Sequence, residues 1–396
     1  MEDIDTNNRS YAHLPDELLA KILDRVPSTV EKMNGMFDVQ DEPILQGVQK
    51  LRDQGRISKL STSEFSDSLI AVDGSWVLEK MTGSDLLLAV AVGVEGLTED
   101  SQTAWGEDKN QYYQWQTALS HNEANGRLGQ GVMFLMELSV LASAGHEIRI
   151  MDGAHFTSIL KINSMLSAKE ENAGDEYAQS LRDFLRETYE KVIPDIPDII
   201  KAAFNNDKII ALAKYTSSRD IIEAFLNNSD IKVDDRTFFT LGLQEDEYLK
   251  PLSVGQSQDE RDKIWNDLHI ICNLDIPERQ ELNRELKNTI TPITTKGGKQ
   301  SDLFFTYYKP FQDGPAYRIE LKKSLVRDIS RFEKYLSSLK RQIVFPEIRE
   351  PFPQYLADLM AKSISGGMFA IKEAIRLSPD LKIDKGKFNL LFNYRT

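Results

Sequence analysis

Apolar runs and helix-like segments alternate along the first half of the chain, and this pattern predicts a mixed α/β fold. SLIAVDGSW (68–76) and DLLLAVAVGVEG (85–96) have the continuous apolar character of buried strands. Residues 122–145 predict a long apolar helix that closes on a glycine. EIRIMDGAH (147–155) then predicts a further buried strand. Strands, a helix and another strand in this order predict a mixed sheet flanked by helices.

Three acidic residues stand out against this apolar background. The first and the last of these strands are predicted to end at Asp73 and Asp152, each followed by glycine, and Glu137 is the only charged residue between Gly129 and Gly145. An Asp-Gly pair is also ordinary turn chemistry, and a lone glutamate could pair with one neighbouring side chain. A buried carboxylate is costly unless it is neutral, paired or bound to a cation.

Taken together, the three carboxylates favour a metal site. They lie on adjacent strands and on a helix packed against them, so they can converge, and a divalent cation relieves the repulsion between like charges. Ligand sets made of oxygen atoms select hard cations such as Mg²⁺ or Mn²⁺. Two such ions can stabilise the attacking and leaving oxygens of a phosphodiester displacement.

Shifts in composition divide the chain into four parts. Residues 1–60 predict a helical N-terminal extension, and residues 61–250 contain the core of the sheet. Residues 251–302 are polar and weakly patterned, which predicts an insertion or a mobile segment. In residues 303–396 the pattern predicts two strands around the turn FQDGP, followed by helices. This indicates a C-terminal part that completes the core.

Composition restricts the classes of function. The chain has 396 residues, a net charge of −14 and one cysteine, Cys272. One cysteine excludes an intrachain disulfide and favours a cytoplasmic protein, and no apolar run predicts a membrane span. The negative charge argues against a general nucleic-acid coat, because it repels phosphates. Any contact with DNA therefore has to come from local basic patches or from bound metal.

Several motifs, taken together and in order, resemble the NurA nuclease family. They are IAVDGS (70–75), Glu137 fifteen residues before Asp152, IALAKYTSSRD (210–220), and YRIEL (317–321) followed by PFPQYLADLMAK (351–362). The resemblance implies an RNase H-like fold and cleavage of DNA that depends on Mn²⁺ (or Mg²⁺). It also implies a homodimer that docks on a hexameric HerA-type ATPase, which delivers the DNA.

The resemblance also implies roles for individual residues. Asp73, Glu137 and Asp152 would be the metal ligands. Asp358 stands where many family members have a histidine, and it would be either a fourth ligand or a solvated helix residue. Lys214 matches a lysine of the family, and it would either neutralise charge on the scissile phosphate or be an ordinary surface lysine.

Basic residues in and after YRIEL are candidates for contact with DNA: Arg318, Lys322 and Lys323. Alternation along the predicted strand places Arg318 and Glu320 on one face, where the two residues could instead serve a structural pairing. His155 follows Asp152 closely and is a weaker candidate, since a lone histidine after a strand is more often a surface residue.

Three functions from different classes remain open. The first is a metal-dependent DNA nuclease working with a translocase, in phage defence or in DNA end resection. The second is an ATPase of the actin or sugar-kinase type, which predicts glycine-rich phosphate loops that VDGSW and MDGAH fit poorly. The third is a catalytically idle scaffold for a motor, and the presence of all three carboxylates argues against it. The sequence favours the nuclease.

Overall fold

Ten strands form one mixed sheet in the part of the chain that the structure describes. A computed structural model describes residues 15–37, 41–61, 67–97, 111–166, 181, 184, 195–213, 218–226, 230–253, 280–294, 302–344, 348 and 350–392. The strands are β1 (Ile57–Lys59), β2 (Leu69–Lys80), β3 (Asp85–Glu95), β4 (Tyr112–Leu119), β5 (Ile148–Asp152), β6 (Ile209–Ala213), β7 (Glu247–Leu249), β8 (Leu252–Ser253), β9 (Leu303–Lys309) and β10 (Tyr317–Lys322). Their order is β1-β7-β9-β10-β6-β5-β2-β3-β4, with β8 beside β9.

The helices pack on both faces of this sheet or extend from it. They are α1 (Asp16–Asp24), α2 (Val26–Phe37), α3 (Asp41–Asp53), α4 (Asn125–Ser143), α5 (His155–Leu166), α6 (Ile196–Asn205), α7 (Asp235–Gly242), α8 (Gln280–Thr294), α9 (Lys323–Arg327), α10 (Ile329–Arg341), α11 (Phe352–Lys362), α12 (Ile364–Leu377) and α13 (Lys385–Phe392). A short π-helical turn spans Ile222–Leu226. None of the described helices combines the length and apolar character needed to cross a membrane.

The centre of the sheet confirms the predicted mixed α/β architecture, a mixed sheet flanked by helices. Strands β2, β3 and β4 form an antiparallel meander. Strand β5 returns after α4 to pair parallel with β2, and β6 pairs parallel with β5. Two neighbouring parallel strands need a long crossover connection, usually through a helix, because a tight turn can join only antiparallel strands. The β2–α4–β5 unit therefore positions all three predicted acidic residues.

The prediction that the first strand ends at Asp73 is wrong. Strand β2 continues to Lys80, and its second half from Gly74 onward pairs in register with β3, down to Lys80 opposite Asp85. The reason is the long neighbouring strand, which supplies hydrogen-bond partners past the Asp-Gly pair. Strand β5, in contrast, ends at Asp152 as predicted.

Alternate residues of the central strands build two hydrophobic layers. On β2, Ile70 and Val72 pack into the core that contains α4 and α5. Leu69 and Ala71 belong to the core on the opposite face, together with Phe332 of α10. This follows from the two-residue repeat of a strand, since successive side chains point to opposite faces. Because both faces are covered, the central strands are apolar along most of their length.

The outer parts of the chain join this architecture to different extents. In the predicted N-terminal extension, α1 buries none of its residues, whereas α3 buries Ile44, Val48 and Leu51 in the main core. Within 251–302 the structure describes β8 and α8, and residues 254–279 and 295–301 lie outside the described residues. Strands β9 and β10 lie inside the sheet, between β7 and β6.

Candidate active site

Helix α4 is anchored at both ends by buried polar side chains. At its C-terminal end, Arg149 of β5 donates from Nη1 to the carbonyl oxygen of Leu141 at 2.8 Å, and from Nε to that of His146 at 3.1 Å. At its N-terminal end, Asn125 donates to Asp85 Oδ2 at 2.8 Å. The Arg149 contact satisfies a carbonyl oxygen that the last turn of a buried helix otherwise leaves without a partner, and both contacts set the position of α4 relative to β3 and β5.

Gly74 lets α4 approach β2 closely where Glu137 meets the strand. A Cβ atom placed on Gly74 would lie 2.6 Å from Glu137 Oε1, 2.6 Å from Met133 Cγ and 3.0 Å from the Val90 carbonyl oxygen. The backbone N–H of Gly74 donates to Asp73 Oδ1 at 2.8 Å, and its position beside the Glu137 carboxylate lowers the pKa of that group against the effect of burial. Glycine is therefore required at position 74 because a helix approaches a strand closely there. The reason is not a turn, since β2 continues through this residue.

Asp73, Glu137 and Asp152 form one electrostatic cluster. Asp73 and Glu137 are 8% and 3% exposed. Burial holds the pKa of Glu137 well above its usual range, and the negative charges of Asp73 and Asp152 raise it further. Asp73 and Asp152 directly follow Val72 and Met151, which are paired in the register of β2 and β5, and Glu137 of α4 lies against Gly74.

A buried glutamine that the sequence reasoning missed also contacts this cluster. Gln354 of α11 donates from Nε2 to Asp152 Oδ1 at 2.6 Å, and its side chain is fully buried. The available signal was its spacing, because Gln354 lies one helical turn before Ala357, which is also buried. A polar residue on the buried face of a short helix warrants a search for its partner.

The remaining predicted site residues have different environments. Asp358, one turn after Gln354, is partly buried and forms an ion pair with Lys362 at 2.7 Å. Lys214 lies outside the described residues, directly after β6. Across the described ranges, no group of three or more histidine, cysteine, aspartate or glutamate side chains has an arrangement that could hold a metal ion.

Arg318 and Lys322, proposed above as DNA contacts, lie inside the protein. Arg318 donates to Glu320 at 3.0 Å and stacks on the ring of Phe305, 4.4 Å from its centroid. Lys322 is 5% exposed and lies 5.5 Å from the ring centroid of Phe204. This burial agrees with a structural pairing of Arg318 and Glu320, which the sequence left open as the alternative to contact with DNA. Lys323, which begins α9, is partly buried.

Glu320 links β10 to the segment that follows Asp152. It accepts a hydrogen bond from the backbone N–H of His155 at 2.9 Å, at the start of α5, and its Oε2 lies 3.7 Å from His155 Nδ1. Burial alone would raise the pKa of Glu320, but His155 and Arg318 outweigh it and lower the pKa to about 2. The predicted surface character of His155 is wrong, since its side chain is buried against Glu320.

A second buried carboxylate organises the segment after β6. Asp235 accepts hydrogen bonds from the backbone N–H groups of Ile221 and Ile222 at 2.9 and 3.1 Å, and from the Ser218 hydroxyl at 3.2 Å. Burial raises the pKa of Asp235 to about 6, although the two backbone contacts oppose this shift. Asp235 thus has a structural role at the start of the π-helical turn.

The site can now be compared with known proteins. Residues 67–359 match the model of the NurA domain, and this range contains Asp73, Glu137, Asp152 and Gln354. The chain belongs to the NurA family. This match covers most of the chain, and the resemblance inferred from the ordered motifs is confirmed. The search of curated proteins gives no match.

Solved structures of NurA proteins are similar to this chain. The NurA nuclease from Sulfolobus solfataricus is 13% identical with a TM-score of 0.49, covering 92% of this chain and 100% of that one. A structure described as NurA bound to dAMP and manganese is 12% identical with a TM-score of 0.49, covering 95% and 98%. A third, described as NurA with manganese, is 13% identical with a TM-score of 0.45, covering 90% and 100%.

Proposed function

We propose that this NurA-family protein is a metal-dependent nuclease that hydrolyses phosphodiester bonds in DNA. The observation that supports the proposal is the match of residues 67–359 to the NurA domain, in which Asp73 and Asp152 follow paired positions of β2 and β5 and Glu137 lies against Gly74. Three carboxylates in one cluster repel the phosphates of a DNA backbone. A substrate of this charge can therefore approach the cluster closely only when cations neutralise it, and this supports dependence on metal.

The three carboxylates supply donor atoms of the type that divalent cations bind, although as placed in the described part of the chain they do not form a complete cation site. Asp73, Glu137 and Asp152 supply only oxygen atoms, which hard cations such as Mn²⁺ and Mg²⁺ prefer. Burial and the charges of Asp73 and Asp152 raise the pKa of Glu137, so a bound cation would favour its charged form. When bound, such an ion supplies Lewis-acid chemistry at a phosphoryl oxygen. Asp358 remains a candidate fourth ligand, and Lys214 a candidate for neutralising charge on the phosphate.

The surroundings of the cluster would orient the acidic residues. The Gly74 backbone lies against Glu137 and its amide donates to Asp73, while Arg149 holds the C-terminal end of the helix that carries Glu137. Gln354 holds one oxygen of Asp152. Fixed carboxylates of this kind lower the cost of organising a site around substrate.

We also propose the wider setting implied by the family. The chain would act as a homodimer with a HerA-type hexameric ATPase that feeds DNA to it, in the cytoplasm. The biological role would be phage defence or DNA end resection. The net charge of −14 supports delivery by a motor, since the protein as a whole repels free DNA. Sedimentation of the pure protein, and co-purification with such an ATPase, test the two assemblies.

Digestion of linear DNA tests the proposed activity. Single- and double-stranded substrates are incubated with Mn²⁺, Mg²⁺ or EDTA, using the wild type, Asp73→Asn and Asp152→Asn. We expect cleavage that requires metal and falls at least about 100-fold in both variants. The matched control is Asp198→Asn, since Asp198 is an exposed partner of Lys201 and lies outside the cluster.

Two outcomes would reject the nuclease. One is the absence of any metal-dependent product from the wild type, with or without the ATPase. The other is full activity of both Asp73→Asn and Asp152→Asn. Hydrolysis of ATP by the isolated chain would instead support the ATPase alternative.

A further inference from the structure

Strand β4 forms one edge of the sheet and carries none of the features that protect such an edge. The opposite edge, β1, has 3 residues and ends on a lysine. Strand β4 has 8 residues, and none of them is charged, a proline or a glycine. Its pairing with β3 runs without a break from Tyr112 to Leu119, so no bulge interrupts it. Short strands, charges, prolines and bulges are the means by which proteins prevent a sheet edge from pairing with another chain.

The register of β4 shows which of its backbone groups face outward. The N–H of Gly93 donates to the carbonyl oxygen of Gln111 at 2.7 Å, just before the strand, and this makes the opposite pair a hydrogen-bonded one. Hydrogen-bonded and non-hydrogen-bonded pairs alternate along an antiparallel ladder, so the odd-numbered residues of β4 bond to β3. The N–H and C=O groups of the even-numbered residues therefore point away from the sheet: Tyr112, Gln114, Gln116 and Ala118.

These outward-facing residues are open to an incoming strand. All four side chains are exposed, and Tyr112 reaches 67%. Within the described ranges, the contact made by their outward backbone groups is a long one, from the Thr117 hydroxyl to the Ala118 carbonyl oxygen at 3.4 Å. A row of backbone donors and acceptors of this kind is a template for one more strand.

We propose that β4 is the surface through which two copies of this chain associate, with their β4 strands antiparallel about a twofold axis at Trp115. This inference rests on the homodimer of the proposed function, and it names the contact that holds the two copies together. Among the twofold registers of two such strands, this one pairs every outward-facing residue. Tyr112 lies opposite the partner's Ala118, and Gln114 lies opposite the partner's Gln116.

The side chains brought together in this register are complementary. A large ring faces a methyl group in the pair of Tyr112 with the partner's Ala118, so the two fill the space between the strands without a clash. Two amides face each other in the pair of Gln114 with the partner's Gln116, and each can donate to the other. Cross-strand pairs of this kind stabilise an antiparallel ladder.

The distribution of charge favours a second copy as the occupant of this edge. Each copy has a net charge of −14, so two copies repel one another over most of their surfaces. Strand β4 has no charged residue, and the twofold register therefore brings no like charges into opposite positions. The self-complementary pairs provide the attraction, and the neutral strand avoids the repulsion.

Disulfide cross-linking between copies gives the direct test. The double variant Tyr112→Cys/Ala118→Cys is made together with Cys272→Ser, which removes the cysteine that the chain already has. In a hydrogen-bonded antiparallel pair the two Cα atoms are about 5.5 Å apart, within reach of a disulfide. The same two positions within one strand are about 20 Å apart, so an intrachain bond cannot form. Under mild oxidation we expect at least about 10-fold more covalent dimer than in either single cysteine variant.

Charges introduced at the edge give an independent test. Gln114→Lys/Gln116→Lys places like charges opposite one another across the axis, and so does Gln114→Glu/Gln116→Glu. Sedimentation should show that the Kd of each homodimer rises at least about 10-fold, whereas an equal mixture of the two variants recovers the wild-type value within about 3-fold. The matched control is Gln46→Lys/Gln49→Lys on the exposed surface of α3, which should change the Kd by less than about 2-fold.

Each result has a definite meaning. A dimeric wild type that gives no cross-link in the double cysteine variant, or that is unaffected by the charges on β4, overturns the role of β4 and leaves the homodimer intact. A wild type that sediments as a monomer overturns both, while digestion of DNA decides the nuclease separately. If the cysteine variant does not fold, the charge variants decide: recovery of the dimer on mixing supports the inference, and no recovery overturns it.

Discussion

The backbone of Gly74 lies directly against the carboxylate of Glu137. There is no room for a side chain at this position, because a Cβ atom would meet Glu137 Oε1 at 2.6 Å and the Val90 carbonyl oxygen at 3.0 Å. The first of these atoms belongs to the proposed site and the second to the backbone of the neighbouring strand. The contact therefore joins the packing of α4 on the sheet to the geometry of the acidic cluster.

Gly74→Ala should damage stability and activity together. The added methyl group must displace Glu137, Met133 or the β3 backbone, and overpacking of this kind costs about 1–3 kcal/mol. Urea unfolding measures the free energy, and digestion of DNA with Mn²⁺ measures the activity. The control is Gly366→Ala in α12, where nothing lies within 4 Å and alanine should stabilise the helix by up to about 1 kcal/mol. Equal effects of the two substitutions would contradict the close-packing argument.

Glu137→Gln should stabilise the protein at neutral pH when divalent cations are absent. Burial and the charges of Asp73 and Asp152 raise the pKa of Glu137 above its unfolded value of about 4.5. The folded state then binds the proton more tightly than the unfolded state, so the free energy of unfolding falls as the pH rises through the interval between the two values. Glutamine is uncharged and removes this penalty.

Thermal unfolding in EDTA between pH 4 and pH 8 tests this prediction. The advantage of Glu137→Gln should be greatest at pH 8 and should vanish towards pH 4, where wild-type Glu137 is protonated in both states. Added Mn²⁺ should stabilise the wild type more than the variant. Glu223→Gln, at an exposed site, is the control, and its difference from the wild type should not depend on the metal. A variant that is less stable than the wild type at pH 8 in EDTA would contradict the prediction.

The acidic cluster could be predicted from the sequence because its context is apolar. A charged residue within a long apolar helix, and aspartates after buried strands, are visible without any knowledge of pairing. After the antiparallel strands β3 and β4, helix α4 returns the chain so that β5 pairs parallel with β2, and this pairing brings Asp73 and Asp152 together. Local pattern and chain order were therefore sufficient for these three residues.

Other features depend on contacts between distant segments and were missed. The Asp-Gly pair in β2 has the composition of a turn, and only the pairing with β3 shows that the strand continues. Arg318 and Lys322 have the composition of a basic surface, but β6 and β9 flank β10 and place them inside the sheet. Gln354 meets Asp152 through the docking of α11, and helical periodicity identifies the buried face of a helix without identifying what it contacts.

Arg149→Met should destabilise the protein by about 2–4 kcal/mol. The substitution removes donors to the carbonyl oxygen of Leu141 in the last turn of α4 and to that of His146 in the segment after it, and both oxygens then remain buried without these partners. Urea unfolding provides the measurement. Arg284→Met is the control, since Arg284 forms an exposed ion pair with Glu281, and such pairs contribute less than about 1 kcal/mol. A loss below about 1 kcal/mol for Arg149→Met would show that the arginine does not anchor the helix.

Glu320→Gln should destabilise the protein at neutral pH by about 3–5 kcal/mol, because it leaves Arg318 buried without its charged partner. The direction of the pH dependence is opposite to that of Glu137. His155 and Arg318 outweigh the effect of burial and lower the pKa of folded Glu320 to about 2, so its contribution is complete above the unfolded value of about 4.5 and is lost as the pH falls towards 2. The difference in unfolding free energy between wild type and variant should therefore be constant from pH 8 to pH 5 and should shrink between pH 4.5 and pH 3. Glu281→Gln, at an exposed pair, should show almost no difference at any pH. A difference for Glu320→Gln that grows on acidification would mean that the carboxylate is not held in its charged form by these two neighbours.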